Sequence, residues 1–256
     1  MMPEHTYLPT TEIDQFKQEG FLLKKNLFNK LEMDNIKKWV QEIEAYPEVI
    51  GKYWRYYEKS LIEEKNRLLS RIENFSPDHQ EMNSLINKSK MVTIVSELLG
   101  EQAVLFKEKI NFKMPGGNGF TPHQDMQAGW NTYANFYITV LLSIDESNVE
   151  NGCLEVAPGY HNLGLIGEMW KPLTENEIKD MKFIPIATQP GDAIFFDCYI
   201  PHRSQPNFSN SPRRILYLTY NRLNEGNHRE QYYTDKYKNY PPDIEREANK
   251  EYVFKV

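Results

Sequence analysis

Residues 191–204 read GDAIFFDCYIPHRS, and this stretch combines a strand signal with a candidate functional residue. The apolar run begins after a Gly-Asp pair and ends at Pro201, immediately before His202. A short apolar run bounded by turn-forming residues is typical of a buried β-strand. The pattern therefore predicts a strand over Asp192–Phe196, with a histidine just beyond its far end.

Runs of the same kind recur throughout the chain after Glu101. They are short, rich in β-branched and aromatic residues and separated by Gly, Pro and Asn: Val104–Lys113, Asn135–Ile144, Gly152–Ala157, Phe183–Ala187 and Ile215–Tyr220. Six or more strands with such frequent turn signals indicate a double-sheet jelly roll rather than βαβ units.

The first hundred residues have a different pattern. From about Thr11 to Gly100, apolar residues recur every three to five positions between charged ones, as amphipathic helices require. A first helix is expected to end at Gly20, and a second is expected over Met82–Leu99. Because single β-barrel or sandwich domains commonly reach 200–250 residues, we expect one domain over residues 1–256. In it, residues 1–100 form a mainly helical cover, 101–222 a jelly-roll core and 223–256 a surface tail or flap.

Composition excludes several classes of protein. The 256 residues are 40% hydrophobic and 26% charged, which is ordinary for a folded domain, and the net charge of −6 argues against a nucleic-acid-binding face. Two cysteines cannot form a disulfide framework, and no apolar stretch approaches the length of a membrane span. The N-terminal residues show no secretory signal. We expect a cytoplasmic protein with a small-molecule substrate, no nucleic-acid partner and no membrane partner; whether it is a monomer or a dimer stays open.

Two of the six histidines carry a pattern with chemical meaning. His123 lies two residues before Asp125, and residues two apart in an extended segment share a face, so both could bind one ion. His202 follows 77 residues after Asp125. Two imidazoles and one carboxylate on one side of a metal leave three positions open, as in non-haem Fe(II) sites that activate O₂. Three other histidines, expected at the surface because they lack a partner pattern, are His5, His79 and His228.

A candidate anion-binding arginine follows the distal histidine. Arg213 lies eleven residues after His202, at the start of a core strand. Ser204 lies two residues after His202. An arginine in this position can hold a carboxylate in a bidentate fork. Because neighbours on a strand face opposite ways, only one of Arg213 and Arg214 can point inward.

Polar residues alternate along the strand before the His-x-Asp motif. They lie on one face of the segment: Lys107, Lys109, Asn111 and Lys113. A solvated face is the simpler interpretation, whereas the mouth of a barrel needs polar groups that face inward.

Five ordered blocks in this chain resemble the phytanoyl-CoA dioxygenase family of Fe(II)- and 2-oxoglutarate-dependent oxygenases. The resemblance runs over about residues 106–220 and depends on these segments: Lys113-Met114-Pro115 with its Gly-rich loop, His123-Gln124-Asp125, residues 151–161 (NGCLEVAPGYH), residues 191–196 (GDAIFF), and His202-Arg203-Ser204 with Pro212-Arg213. Five blocks in order are far more specific than any one of them.

The resemblance implies a fold, a cofactor set and residue roles. The fold would be mainly β with α, a double-stranded β-helix (jelly-roll, cupin-like) core with N-terminal helices packed on it. The cofactors would be Fe(II), with 2-oxoglutarate and O₂ as co-substrates. The implied catalytic metal ligands are His123, Asp125 and His202. The implied 2-oxoglutarate contacts are Arg213, Ser204, Asn111 and, as a weaker candidate, Lys107.

The substrate is suggested only by a finer resemblance. The segment around Arg71, the Asn-Phe-Lys strand and the Gly-rich loop are similar to the branch that hydroxylates small polar molecules such as aminoalkylphosphonates. An arginine suits an oxyanion, and aromatic residues with a carboxylate could receive an ammonium group. The candidate substrate residues are Arg71, Glu73, Trp130, Tyr53 and His161.

Two other classes stay open at this point. A cupin-type metal-dependent hydrolase or isomerase could use the same three ligands, but it would not need Arg213 and Ser204 to receive a dicarboxylate. A non-catalytic metal-binding relative would normally have lost a ligand, and all three are present.

Overall fold

The computed structural model describes residues 7–63 and 65–252, which form two β-sheets and a set of helices. The helices are α1 (Thr10–Glu19), α2 (Lys30–Glu44), α3 (Gln80–Lys88), α4 (Lys90–Leu99), α5 (Glu175–Ile178) and α6 (Arg229–Asn239). The strands are β1 (Phe21–Lys24), β2 (Trp54–Lys59), β3 (Arg67–Glu73), β4 (Ala103–Lys113), β5 (Phe120–His123), β6 (Ile138–Ser143), β7 (Leu154–Val156), β8 (Ile184–Ile186), β9 (Ala193–Asp197), β10 (His202–Ser204) and β11 (Arg213–Arg222).

The strands form a seven-stranded sheet, β1-β9-β6-β11-β4-β3-β2, and a four-stranded sheet, β5-β10-β7-β8. Every paired strand within these sheets is antiparallel. This arrangement confirms the predicted jelly-roll core. All six strands expected after residue 101 are present, with ends that differ by a few residues.

The two faces of the large sheet have different partners because side chains alternate along each strand. Val140 and Leu142 of β6 pack in a cluster with buried residues of α2, α3 and α4, including Ile36 and Ile94. Leu141, between them, packs with residues of the small sheet. Helices α2, α3 and α4 therefore cover the outer face of the large sheet, and its inner face is free to contribute to a site between the sheets.

The N-terminal cover differs from its prediction in three places. Helix α1 ends as expected at Gly20, whose φ of 80° is a left-handed conformation that glycine adopts without strain. Residues 21–24 pair with β9 as a strand, and the predicted helix over Met82–Leu99 is two helices separated at Ser89, whose side chain caps α4. Strands β2 and β3 extend the large sheet: β3 pairs with β4 and β2 pairs with β3, which satisfies backbone groups of both strands.

The chain's last segment is also more structured than a surface tail. Helix α6 contacts β4, and its Tyr232 and Tyr233 are buried. Among the histidines expected at the surface, His79 is instead buried, where its Nδ1 accepts from the backbone N–H of Met82. His5 lies outside the described residues. In the described part of the chain, no helix combines the length and the apolar character that crossing a membrane would require.

Candidate metal and 2-oxoglutarate site

The three predicted metal ligands meet at one point. His123 ends β5 and His202 begins β10, and these residues are direct partners in the antiparallel pairing. Their ring centroids are 4.2 Å apart, and Asp125 Oδ1 lies 3.9 Å from His202 Nε2. One potential ligand atom from each residue lies within 4.8 Å of the other two.

Backbone contacts orient both imidazole rings. His123 Nδ1 lies 2.7 Å from the Thr121 carbonyl oxygen, and His202 Nδ1 lies 3.0 Å from that of Ile200. A carbonyl can only accept, so each Nδ1 carries the proton and each Nε2 presents a lone pair. Burial lowers the pKa of both imidazoles, and His202 lowers that of His123 further. Both rings are therefore neutral, the form that binds a metal.

The carboxylate is oriented from the large sheet. Thr139 Oγ1 donates to Asp125 Oδ2 at 3.0 Å, and the Thr219 hydroxyl lies 3.0 Å from Thr139 Oγ1. Burial alone would raise the pKa of Asp125, but His202 and Lys107 lower it overall. Asp125 is thus ionised, and Thr139 of β6, supported by Thr219 of the neighbouring strand β11, orients its carboxylate.

A buried anion-binding group lies on β11, beside this centre. Arg213 is 1% exposed, and its Nε and Nη1 have no hydrogen-bond partner among the described residues. Lys113 Nζ donates to Ser204 Oγ at 2.7 Å, and burial, followed by Arg213, lowers the pKa of Lys113 to about 6. A buried guanidinium, a lysine amine and a hydroxyl therefore meet where the sequence predicts a 2-oxoglutarate carboxylate.

The absence of a side chain at Gly152 allows the backbone at Gln205 to lie close to it. Gly152 has a φ of 73°, and a Cβ there would lie 2.0 Å from the Gln205 carbonyl oxygen. Lys113 Nζ donates to the carbonyl oxygens of both residues, at 3.3 and 2.6 Å. A larger residue at position 152 would displace the strand end that carries Ser204.

The two neighbouring arginines face opposite ways, as strand geometry requires. Arg213 points inward, whereas Arg214 binds Asp145 with Nε at 2.8 Å and Nη2 at 3.0 Å and lies 3.3 Å from Glu44. Arg214 is already paired, so Arg213 is the arginine of this pair that has donors to offer a ligand.

The alternating polar face of β4 lines the site, as the barrel-mouth interpretation predicts. Lys107, Lys109 and Asn111 border a cavity of 720 Å³ that also contains the three candidate metal ligands. An adjoining cavity of 320 Å³ is bordered by Asn111, Lys113 and Arg213. Asn111 Oδ1 is buried and has no partner in the described structure. Asn111 therefore lies where the two cavities adjoin.

Arg71, Glu73 and Trp130 also line the larger cavity. The Glu73 carboxylate is 2% exposed; its Oε1 lies 3.0 Å from Arg71 Nε, and its other oxygen binds Lys236 of α6. Trp130 lies under Lys107, whose Nζ is 4.0 Å from the ring centroid. Lys107 thus lies among the candidate substrate residues rather than beside Arg213.

Two predicted substrate residues lie elsewhere. Tyr53 packs in the outer hydrophobic cluster with its ring 4.7 Å from that of Tyr46. His161 is buried against α1, with Nε2 at 3.0 Å from the Lys17 carbonyl oxygen. Neither residue is among those described as lining the two cavities, so the structure gives neither a place in the site.

Sequence reasoning did not assign several residues that the structure brings to the site. Lys113 and Thr139 could have been found, because each lies two residues from another inward-facing position on its strand. Lys236 carried no comparable signal, because it lies 163 residues from the Glu73 that it contacts.

The donor set fits a first-row divalent metal. Two neutral imidazoles and one carboxylate are ligands that iron accepts, and they lie on the wall of a cavity that leaves room for further ligands. The buried, unpartnered donors of Arg213 fit the far carboxylate of 2-oxoglutarate in the same way.

Comparison with solved structures supports the fold. The crystal structure of EctD from S. alaskensis with 2-oxoglutarate and 5-hydroxyectoine superposes with a TM-score of 0.73 at 20% identity, covering 88% of this chain and 80% of that one. At this level of identity the likeness concerns the fold alone.

Two curated relatives are similar over nearly their whole lengths. The 2-aminoethylphosphonate dioxygenase of uncultured bacterium HF130_AEPn_1 is 40% identical over 252 residues, which are 96% of this chain and 94% of the relative. The methylphosphonate hydroxylase of Gimesia maris is 36% identical over 233 residues, covering 91% of this chain and 88% of the relative.

The sequence model of the phytanoyl-CoA dioxygenase (PhyH) family matches residues 16–215. This match and the two relatives confirm the predicted enzyme class, a 2-oxoglutarate-dependent non-haem iron dioxygenase, with Fe(II), 2-oxoglutarate and O₂ as its cofactors. Because the family model matches most of its length and both relatives are more than 30% identical to it, the chain belongs to the phytanoyl-CoA dioxygenase family.

Proposed function

We propose that this enzyme hydroxylates a C–H bond of a small phosphonate, such as an aminoalkylphosphonate, and releases succinate and CO₂. The observation that carries the proposal is a cationic wall, formed by Arg71, Lys107 and Lys236, in the cavity that holds the three candidate metal ligands. The names of the two most similar relatives reported above, both phosphonate oxygenases, support the same substrate class.

We assign Fe(II) to His123, Asp125 and His202. When bound, the metal supplies O₂ activation coupled to oxidative decarboxylation of 2-oxoglutarate. The two imidazoles and the carboxylate hold it at the junction of the two sheets. Thr139 keeps the Asp125 carboxylate in its orientation, as hydrogen-bond partners of metal ligands generally do.

We assign the far carboxylate of 2-oxoglutarate to Arg213 and Ser204, with Asn111 as a further contact. The guanidinium offers two buried donors, and their desolvation has already occurred in the folded protein, so a carboxylate satisfies them directly. Lys113 positions Ser204 and adds positive charge. Both sheets and helix α6 contribute to this site, and we propose that the chain acts as a single oxygenase domain.

The first test is anaerobic addition of Fe(II) and 2-oxoglutarate, which should produce the weak visible metal-to-ligand band. Succinate release is then measured with 2-aminoethylphosphonate, methylphosphonate, amino acids, quaternary amines and acyl-CoA esters. We expect stimulation by the phosphonates. Stimulation by acyl-CoA esters alone would overturn the substrate class.

The metal assignment has its own controls. His123→Ala, Asp125→Ala and His202→Ala should each abolish 2-oxoglutarate turnover and the visible band, because each removes one of three protein ligands. Circular dichroism checks that the variants fold. Full turnover in a folded variant, after rigorous metal control, would rule out this ligand set.

A further inference from the structure

Three cations surround one buried carboxylate on the substrate side of the cavity. The Glu73 oxygens contact Arg71 and Lys236, and the negative charge of Glu73 favours the protonated form of the nearby Lys107. The Arg71 and Lys236 side chains are only 7% and 12% exposed. One carboxylate against three largely buried basic groups leaves an excess of positive charge when all three are protonated. Burial lowers the pKa of Lys107 and lowers that of Lys236 to about 7, so an anion that joins the group favours the fully charged state.

The other charged groups nearby do not remove this excess. Lys109 adds a further cation to the same wall, and Asp125 belongs to the proposed metal site. Asp235 and Glu251 also line the cavity, but Asp235 accepts hydrogen bonds from Gln231, Lys238 and the Tyr133 hydroxyl, and Glu251 is exposed. The cluster therefore suits a ligand that carries more than one negative charge.

We propose that Lys236 is a specificity-determining residue that, with Arg71 and Lys107, binds the dianionic head of the phosphonate substrate, while Glu73 positions these cations. The inference rests on the proposed function. A phosphonate offers three oxygens and up to two charges, whereas a carboxylate offers two oxygens and one charge. Three donor groups match the three oxygens of a phosphonate. A carboxylate, with two oxygens, would leave one of these donors without a partner.

Lys236 reaches the cavity from a late segment of the chain. It lies on α6, beyond residues 16–215 that the family model matches. Its neighbours on the cavity side are aromatic, with Nζ 5.3 Å from the Tyr56 ring centroid and 5.8 Å from that of Tyr232. Helix α6 thus brings a basic group to the cavity from beyond the segment that the family model matches.

The test compares Lys236→Met, Lys236→Arg and the control Lys38→Met. Lys38 lies on α2, away from the residues that line the two cavities, with its side chain 72% exposed, whereas that of Lys236 is 12% exposed. For each enzyme, succinate release is measured against the concentration of 2-aminoethylphosphonate and of its carboxylate analogue 3-aminopropanoate. The anaerobic 2-oxoglutarate band, and its perturbation by added phosphonate, give a binding readout without turnover.

We expect Lys236→Met to raise the apparent KM for the phosphonate roughly tenfold to a hundredfold, with the 2-oxoglutarate band unchanged. Lys236→Arg should recover part of the affinity, and Lys38→Met should behave as the unaltered enzyme. The preference for phosphonate over carboxylate should narrow in Lys236→Met.

Two results would overturn the inference separately from the proposed function. If phosphonates stimulate the unaltered enzyme and Lys236→Met keeps the same KM and preference, Lys236 does not bind the head group. If Lys236→Met instead loses the 2-oxoglutarate band, with thermal melting that shows a folded protein, its role lies in co-substrate binding. If no phosphonate stimulates the unaltered enzyme, the proposed function and the head-group assignment fail together.

Discussion

At the scale of single residues, Arg213 and Arg214 show how strand geometry separates binding from stability. The first is buried with two unpartnered donors, and the second is paired with Asp145 and Glu44 on the outer face. Arg213→Lys should weaken 2-oxoglutarate binding by roughly tenfold to a hundredfold, because a point charge cannot reproduce the planar two-bond fork. The anaerobic visible band, titrated with 2-oxoglutarate, measures the change.

Arg214→Lys is the matched control for that substitution. It keeps the charge next to Asp145 and lies outside the cavity, so the 2-oxoglutarate titration should stay as in the unaltered enzyme. A silent Arg213→Lys together with a damaging Arg214→Lys would contradict the inward orientation of Arg213.

Lys113 predicts a pH dependence for 2-oxoglutarate binding. Burial, and then Arg213, lower its pKa to about 6, so without ligand it is mostly neutral at pH 7.5. A carboxylate bound at Arg213 would raise the pKa of Lys113, so binding should take up a proton and weaken as pH rises above about 6. Calorimetry at pH 7.5 in buffers of different ionisation enthalpy measures this uptake.

The control for the proton uptake is Lys113→Met, in which it should disappear. The nearby Glu58 has a pKa raised by burial and could contribute, so Glu58→Gln is measured alongside. Unchanged uptake in Lys113→Met would show that another group takes the proton.

At the scale of elements, helix α6 depends on a buried ion pair for its position. Glu108 of β4 is fully buried, and its two carboxylate oxygens accept from Arg229 Nη2 at 2.7 Å and Nε at 3.1 Å. Tyr233 OH donates to the Glu108 carbonyl oxygen at 3.0 Å. The first turns of α6 are thereby tied to the strand whose opposite face lines the cavity.

Arg229→Met should destabilise the protein by about 3 kcal/mol, because it leaves a carboxylate buried without its cation. The substrate KM should also rise, since Lys236 lies on the same helix. Urea unfolding measures the first effect and succinate release the second, with substitution of the exposed Lys38, Lys38→Met, as control. If Arg229→Met keeps full stability and an unchanged KM, the ion pair does not set the position of α6.

At the scale of the whole molecule, the proposed ligands join the two sheets. The candidate metal ligands lie in β5, in β10 and in the turn after β5, whereas Arg213 and Asn111 lie in the large sheet. Fe(II) and 2-oxoglutarate together should therefore stabilise the fold, by about 2.7 kcal/mol at a hundredfold excess over Kd. The corresponding rise in Tm is roughly 5 to 10 °C for a chain of this size.

Anaerobic differential scanning fluorimetry measures this rise. Asp125→Ala should lose most of it, and Arg213→Lys should lose the part that depends on 2-oxoglutarate. An equal rise in the Asp125→Ala protein would place the stabilising ligand somewhere else.

Local patterns in the sequence determined several parts of the fold and of the candidate site. The strands after residue 101, the single polar face of β4 and the His123-x-Asp125 pair all follow from the two-residue repeat of extended chain, which any short segment expresses by itself. The ordered blocks around His202 and Arg213 predicted the enzyme class. The first hundred residues were misread in three places: the residues after Gly20 form strand β1 against β9, β2 and β3 pair as strands, and the helix over Met82–Leu99 is two helices.

Only the tertiary structure decided which residues complete the cavity. Glu73 meets Lys236 across 163 residues, Tyr53 turns into the outer core, and His161 packs on α1. No repeat along the chain encodes such contacts, because they depend on where distant elements pack and which charges become buried together. Segments a few residues long are thus enough to predict the iron chemistry. The substrate side of the cavity, in contrast, forms only when α6 and β3 pack against β4.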